Sequence, residues 1–262
     1  MKERTSYSRI IQNTLPWERM QKGRIIRLFQ ESVQIGSTSF LVTTPEQEQT
    51  NRTFSAAFSE SGLSRDEIQL IAEVVNASPN GLEDKVDQLL MHLGTDYFDL
   101  LIMSTVSEPQ ALLEAYERLW NQGKVREIGI RGLPPGPFHT SGLQISVFST
   151  SFEVLSIEQL DHLESAENEN GFIRLLVDWD DQWLDRPTLE SALSELRQKY
   201  SLSHQELIKA WLLQHPALIS VIVSATNERE MERLEALSGM QWNPFDWRKI
   251  KLILTGSKSK TD

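Results

Sequence analysis

Four aspartates crowd the segment VDWDDQWLDR, at Asp178, Asp180, Asp181 and Asp185. Carboxylates this close could hold a hard cation such as Mg2+ through oxygen ligands, or receive a basic partner. The blander reading is a solvated loop, since no fixed ligand spacing is present. Trp179 and Trp183 in the same stretch are either anchors for a partner or rings packed beneath that loop. The histidines, His92, His139, His162, His204 and His215, are scattered. None is paired at the i, i+4 spacing of a helical metal site, so they read as surface or capping residues and no metal site is expected. With no cysteine in the chain, a disulfide, a thiolate metal centre and a cysteine nucleophile are excluded. There is no phosphate-cradling glycine loop of the P-loop or Rossmann kind and no serine elbow.

The balance of the chain narrows the function classes further. Its net charge of -11 argues against nonspecific nucleic-acid binding, which needs Lys and Arg to neutralise phosphates. No apolar run reaches the ~18 residues of a membrane span, and Met1-Lys2-Glu3-Arg4 leads into polar residues rather than a signal-peptide core. The expectation is a cytoplasmic protein with neither a nucleic-acid nor a membrane partner. At 262 residues with 39% hydrophobic and 24% charged side chains, a single domain 1–262 has enough apolar material for one large core.

The elements that would position any chemistry are clearest between Leu93 and Leu133. A buried strand at Phe98–Ser104, a helix at Pro109–Gly123 and a second strand at Val125–Leu133 make a β-α-β unit with parallel pairing. Upstream, strands are expected at Ser8–Leu15, Ser39–Thr43 and Ile68–Val75. Between them lie helices over Arg24–Ser32, Thr50–Ser61 and Gly81–Gly94. The last places Leu82, Val86, Leu89, Leu90 and Leu93 on one stripe closed by Gly94. Downstream, strands are expected at Leu143–Thr150, Phe172–Val177 and Ile219–Ala225, with helices at Ser156–Glu169, Arg186–Tyr200, Ser203–Gln214 and Asn227–Leu237. Ser203 and Glu206 have capping-box spacing. A closing helix starts at Asn243-Pro244, and Gly256–Asp262 reads as a flexible polar tail. The prolines and glycines of LPPGPFHTSG break the pattern after the fifth strand, so the helix there should be reduced or missing. Strands alternating with helices point to a single α/β domain of the TIM-barrel kind.

Several phrases bear a family resemblance. LGTDYFDLLIMS and GKVREIGIRGL resemble the aldo/keto reductases' LGTDYxDLLxxH and GKVRxxGVSNF. KYSLSHQELIKAWLLQHPALISVIVSATN is similar to their KYGVSxxQVALAWLLxxPxxxPIxGTSN, and SRIIQNTL to their opening SRxxxGTxxW. The resemblance implies a closed (β/α)8 barrel, an NADPH cofactor and carbonyl reduction. In that reaction a Tyr donates the proton, tuned by a Lys that is paired with an Asp, and a His orients the substrate. The matching positions here are altered. Leu41 or Phe40 takes the Asp position, Pro45 or Glu46 the Tyr position, Glu73 the Lys position and Ser104 the His position, so no catalytic residue is assigned. Tyr7, Tyr97, Tyr116 and Tyr200 fall outside the strand-two loop, and Tyr97 is expected to pack. A carboxylate at position 73 would raise a neighbouring phenol's pKa, where the family's cation lowers it.

What the resemblance implies for the cofactor is thinner. Gln144 matches a Gln that contacts the nicotinamide amide, with a Gln at a strand end as the plain alternative. Arg131-Gly132 stand where the family has Ser-Asn. Thr226 and Asn227 fall in the phosphate loop, where a helix N-terminus could hold an anion. Glu230 stands where an Arg often faces the 2′-phosphate, with Arg229 one position away. Gln144, Thr226 and Asn227 are thus the candidate cofactor-binding residues, with NADP(H) bound weakly or not at all. The expected function is a barrel inactive in carbonyl reduction that serves as a binding or regulatory protein for a protein partner. The alternative is an active NAD(P)H-dependent oxidoreductase with a non-standard proton donor.

Overall fold

Short strands buried on both faces, one face inside the barrel and one under the helices, decide the architecture. The computed structural model describes residues 7–42, 46–74, 78, 81–104, 109–132, 147–151, 174–179, 187–215 and 218–258. Its strands are β1 (Ile10–Asn13), β2 (Ser39–Val42), β3 (Gln69–Val74), β4 (Phe98–Ser104), β5 (Val125–Arg131), β6 (Val147–Ser151), β7 (Arg174–Asp178) and β8 (Leu218–Val223). They close in sequence order into a barrel, every pair parallel, with β1 hydrogen-bonded to β8. Among the described residues the helices are α1 (Lys22–Gln34), α2 (Glu48–Ser61), α3 (Leu82–Leu93), α4 (Pro109–Asn121), α5 (Pro187–Tyr200), α6 (His204–Leu213), α7 (Glu228–Ser238) and α8 (Pro244–Lys258). The expected TIM barrel is the one observed. The stretches expected to lack a helix after β5 and to form one at Ser156–Glu169 lie outside the described residues.

Successive strand residues face opposite sides, so the barrel has two cores. Inside it, Ile11, Leu41, Ile71, Leu100, Ile102, Val147, Leu176 and Ile222 pack together over Tyr7. Outside it, the other parity meets the helices, as where Phe40 joins Trp17, Phe29 and Phe54 in an aromatic cluster. Gly129 belongs to the inner layer. A Cβ there would lie 3.2 Å from the Val147 carbonyl oxygen and 3.4 Å from a Leu100 methyl, tighter than an interior comfortably accepts.

The N-terminal end is sealed by charge. Asp99 is buried and accepts hydrogen bonds from Arg65 Nη2 (2.7 Å), Arg126 Nη1 (3.0 Å) and the Leu70 N–H (2.9 Å). Tyr97 packs as expected, between the Arg65 and Arg126 guanidiniums at 4.1 and 3.8 Å from its ring centre. The Tyr7 hydroxyl donates to the Asp99 carbonyl at 3.1 Å and to Glu127 Oε2 at 3.0 Å.

Two expectations need correction. α8 runs through Gly256 and Ser257 to Lys258, into the stretch expected to be a tail. One glycine costs a helix only about 1 kcal/mol, and the buried Ile250 and Leu254 anchor the preceding turns. His215, which reads in the sequence as a surface or capping residue, is fully buried, with its ring 5.1 Å from Trp211 and 5.5 Å from Trp247. It lies just past the end of α6, against Trp247 of α8, which a pattern within one helix cannot reveal. His92 and His204 lie at the end of α3 and the start of α6, while His139 and His162 lie outside the described residues.

Candidate functional site

The C-terminal mouth of the barrel, where βα-barrels carry their chemistry, is built around an ion pair. Strand parity turns Glu73, two residues after the inner Ile71, toward the axis at the end of β3. Arg131 ends β5, two strands away. It grips Glu73 in a bidentate fork: Nε donates to Oε1, and Nη2 donates to Oε2 at 2.5 Å. Asp178, ending β7, lies 4.0 Å from the same guanidinium. Planar pairing of this kind is the strongest geometry available to Arg. The hydrogen bond to Glu73 raises the Arg131 pKa further, against partial burial and with help from the field of Asp178. Gly132, with φ of +98°, takes the chain out of the mouth directly after Arg131 in a conformation suited to glycine. Register sets Arg131 beside Ser104 of β4 and Ser149 of β6. On the far side Asn13 Nδ2 donates to Ser224 Oγ at 3.3 Å.

The positions matching the family's catalytic groups can now be placed. Leu41 belongs to the inner apolar core and Phe40 to the outer aromatic cluster. Glu46 is exposed and paired with Lys85 at 3.0 Å, while Pro45 lies outside the described residues. Ser104 is the last residue of β4. Every tyrosine of the chain is accounted for elsewhere. Tyr7 and Tyr97 lie at the N-terminal end, Tyr116 is buried on α4, and Tyr200 donates to Asp246 of α8 at 2.6 Å. Burial alone pushes the Tyr116 hydroxyl far above the ordinary phenol range. Among the described residues the mouth offers a guanidinium and two carboxylates, with no phenol.

The loop after β8, where the resemblance puts a phosphate, is also held from within. Asn227 caps α7, its Oδ1 accepting the Glu230 N–H at 3.0 Å. The Glu230 carboxylate folds back over the loop. It accepts the Thr226 N–H at 2.7 Å and the Asn227 amide Nδ2 at 2.6 Å, with the Thr226 hydroxyl 3.4 Å away. Thr226 and Asn227 are thus gathered around a carboxylate of the chain. In this arrangement a nucleotide phosphate meets a resident carboxylate, because the Thr226 N–H and the Asn227 amide that would receive it already hold Glu230. Arg229 is exposed. Gln144 lies outside the described residues.

In the acidic segment, Asp178 is half-exposed at the mouth, and Asp180, Asp181, Asp185 and Trp183 lie outside the described residues. Trp179 packs against the outer core with Lys209 Nζ 4.7 Å from its ring. Among the described residues no group of His, Asp or Glu is placed to hold a metal ion, and no helix is long and apolar enough to cross a membrane.

Reading each position alone missed two pairings. The Glu at the end of β3 and the Arg at the end of β5 are opposite charges that replace a Lys and a Ser, and that matched change was the available signal for the Glu73–Arg131 fork. The other signal was Asn-x-x-Glu at residues 227–230, which has the spacing of a capping box.

No protein-family model matches the chain. A Bacillus subtilis (strain 168) protein described as the uncharacterized oxidoreductase YcsN is 28% identical over 201 residues, which cover 69% of this chain and 66% of that protein, just under two thirds of its length. The barrel matches a thermostable aldo-keto reductase, Tm1743, solved with the inhibitor epalrestat, with a TM-score of 0.78 and 15% identity over 96% of this chain and 97% of that one. It matches an aldo-keto reductase from Klebsiella pneumoniae in complex with NADPH with a TM-score of 0.73 and 16% identity over 95% and 92% of the two chains. An aldo/keto reductase from Brucella melitensis gives a TM-score of 0.69 and 18% identity over 94% of each chain. The chain has the aldo-keto reductase fold.

Proposed function

We propose that this chain is a divergent member of the aldo-keto reductase family. It does not reduce carbonyls, it binds NADP(H) weakly or not at all, and it works in the cytoplasm as a binding or regulatory protein for a protein partner. The observation that carries this reading is the Glu73–Arg131 fork. General-acid catalysis needs a donor whose pKa lies near the working pH, within hydrogen-bond reach of the developing alkoxide. Among the described residues the charged donor at this mouth is a guanidinium, which keeps its proton at any physiological pH. Glu73 raises its pKa further. No tyrosine hydroxyl replaces it, since each of the four is engaged or buried elsewhere.

A second reading is favoured by the description of the Bacillus relative as an oxidoreductase. It is an active NAD(P)H-dependent enzyme that takes its proton from another group. One experiment separates the two. The purified chain is titrated with NADPH while tryptophan emission is followed, then assayed against a panel of aldehydes and ketones by loss of NADPH absorbance. The proposal expects no turnover. Micromolar NADPH binding with turnover of any member of the panel would overturn it in favour of the second reading.

A further inference from the structure

In a (β/α)8 barrel, the N–H groups that begin the helix after the eighth strand face the mouth and suit a phosphate. Here that position has a resident anion. Both oxygens of Glu230 are engaged, Oε2 by the Thr226 N–H and Oε1 by the Asn227 amide, at 2.7 and 2.6 Å. The Glu230 N–H is itself taken up by Asn227 Oδ1 at 3.0 Å. The first turn carries a second carboxylate, Glu228, with Arg27 3.7 Å away. A phosphate approaching this turn has to displace a carboxylate that already satisfies the helix dipole. If the carboxylate stays nearby, the phosphate meets like charge at contact distance.

We infer that Glu230 is an internal occupant of the anion cradle between β8 and α7, and that this one side chain sets the barrel against nucleotide phosphates. The inference rests on the reading above that this barrel belongs to a dinucleotide-binding family. It goes beyond that reading by assigning the exclusion to a single residue. Thr226 and Asn227 remain the groups that would receive a phosphate once the carboxylate is removed.

The probe is adenosine 2′,5′-bisphosphate, which carries phosphates but no nicotinamide, titrated by calorimetry at fixed low salt into the wild-type chain, Glu230→Gln and Glu230→Ala. Glu230→Gln removes the charge and keeps one acceptor oxygen for the Thr226 N–H, and equal helix content by circular dichroism shows that α7 still starts correctly. Glu230→Ala clears the cradle. The expected result is a dissociation constant at least about tenfold lower for Glu230→Ala than for the wild type, with Glu230→Gln between them. Equal affinity in all three chains, or variants that bind no better than the wild type, would overturn the assignment. Because the probe cannot transfer hydride, aldehyde turnover by the wild type would sink the functional reading above without touching this result.

Discussion

Arg131 brings a full positive charge to the mouth of the barrel, and Glu73 is the group that makes it tolerable there. The Glu73 side chain is only 11% exposed, against 35% for Arg131. Removing the arginine therefore strands a carboxylate in a poorly solvated site. Loss of one partner from a fully buried pair costs about 3–5 kcal/mol, and an exposed pair contributes little. Arg131→Ala should thus destabilise the chain by roughly 2 kcal/mol, read as a lower urea midpoint at unchanged m-value. Replacing both residues by Leu should recover most of that loss, since neither charge is then left alone. An Arg131→Ala chain as stable as the wild type would show that the fork does not hold the mouth together.

At the scale of elements, α6 and α7 are tied by one carboxylate. Glu206 completes a capping box with Ser203 at the start of α6 and accepts from Arg233 Nε of α7 at 2.6 Å. Burial works against its ionisation. The Arg233 hydrogen bond and the N–H and hydroxyl of Ser203 outweigh that, and the carboxyl pKa falls from 4.5 to about 2. Because the folded pKa is depressed, this carboxylate stabilises the fold fully above pH 4.5, and its contribution fades as pH falls toward about 2. Glu206→Gln keeps the cap but not the charge. It should melt below the wild type at pH 7, and the difference in Tm should shrink steadily below pH 4.5. A gap that stays constant down to pH 3 would mean that folding does not lower the pKa of this carboxyl.

For the whole molecule, closure of the barrel through the β1–β8 pairing leaves α8 outside the ring of strands, as a brace across α5 and α6. It buries Ile250 and Leu254 completely, its Trp247 carbonyl accepts from Trp211 Nε1 at 3.2 Å, and Asp246 receives the Tyr200 hydroxyl. Burying two such aliphatic side chains stabilises by about 3–6 kcal/mol. A chain ending before Pro244 should therefore unfold well below the full-length protein, with Trp211 emission shifted to the red as water reaches it. Tyr200→Phe, which loses only the hydroxyl, should cost about 1 kcal/mol in the same denaturation experiment. Coincident melting of the truncated and full-length chains would show that α8 is not a brace.

What the sequence determined by itself was the frame. Short apolar strand runs, stripes such as Leu82-Val86-Leu89-Leu93, the Ser203–Glu206 cap and the motif phrases around Phe98–Ser104 are local patterns. The physics they express, side-chain periodicity and end-capping, acts within a few residues. That Glu73 and Ser104 stand where the resemblance puts a Lys and a His was legible in the same way, position by position. The tertiary structure alone decided what took their place. Glu73 and Arg131 are 58 residues apart and meet only because parallel strands in register bring their ends to one rim. His215 is buried only because α8, from the end of the chain, lies over it. Charge pairing and burial depend on distance through space, and a linear chain does not carry that distance until the barrel has closed.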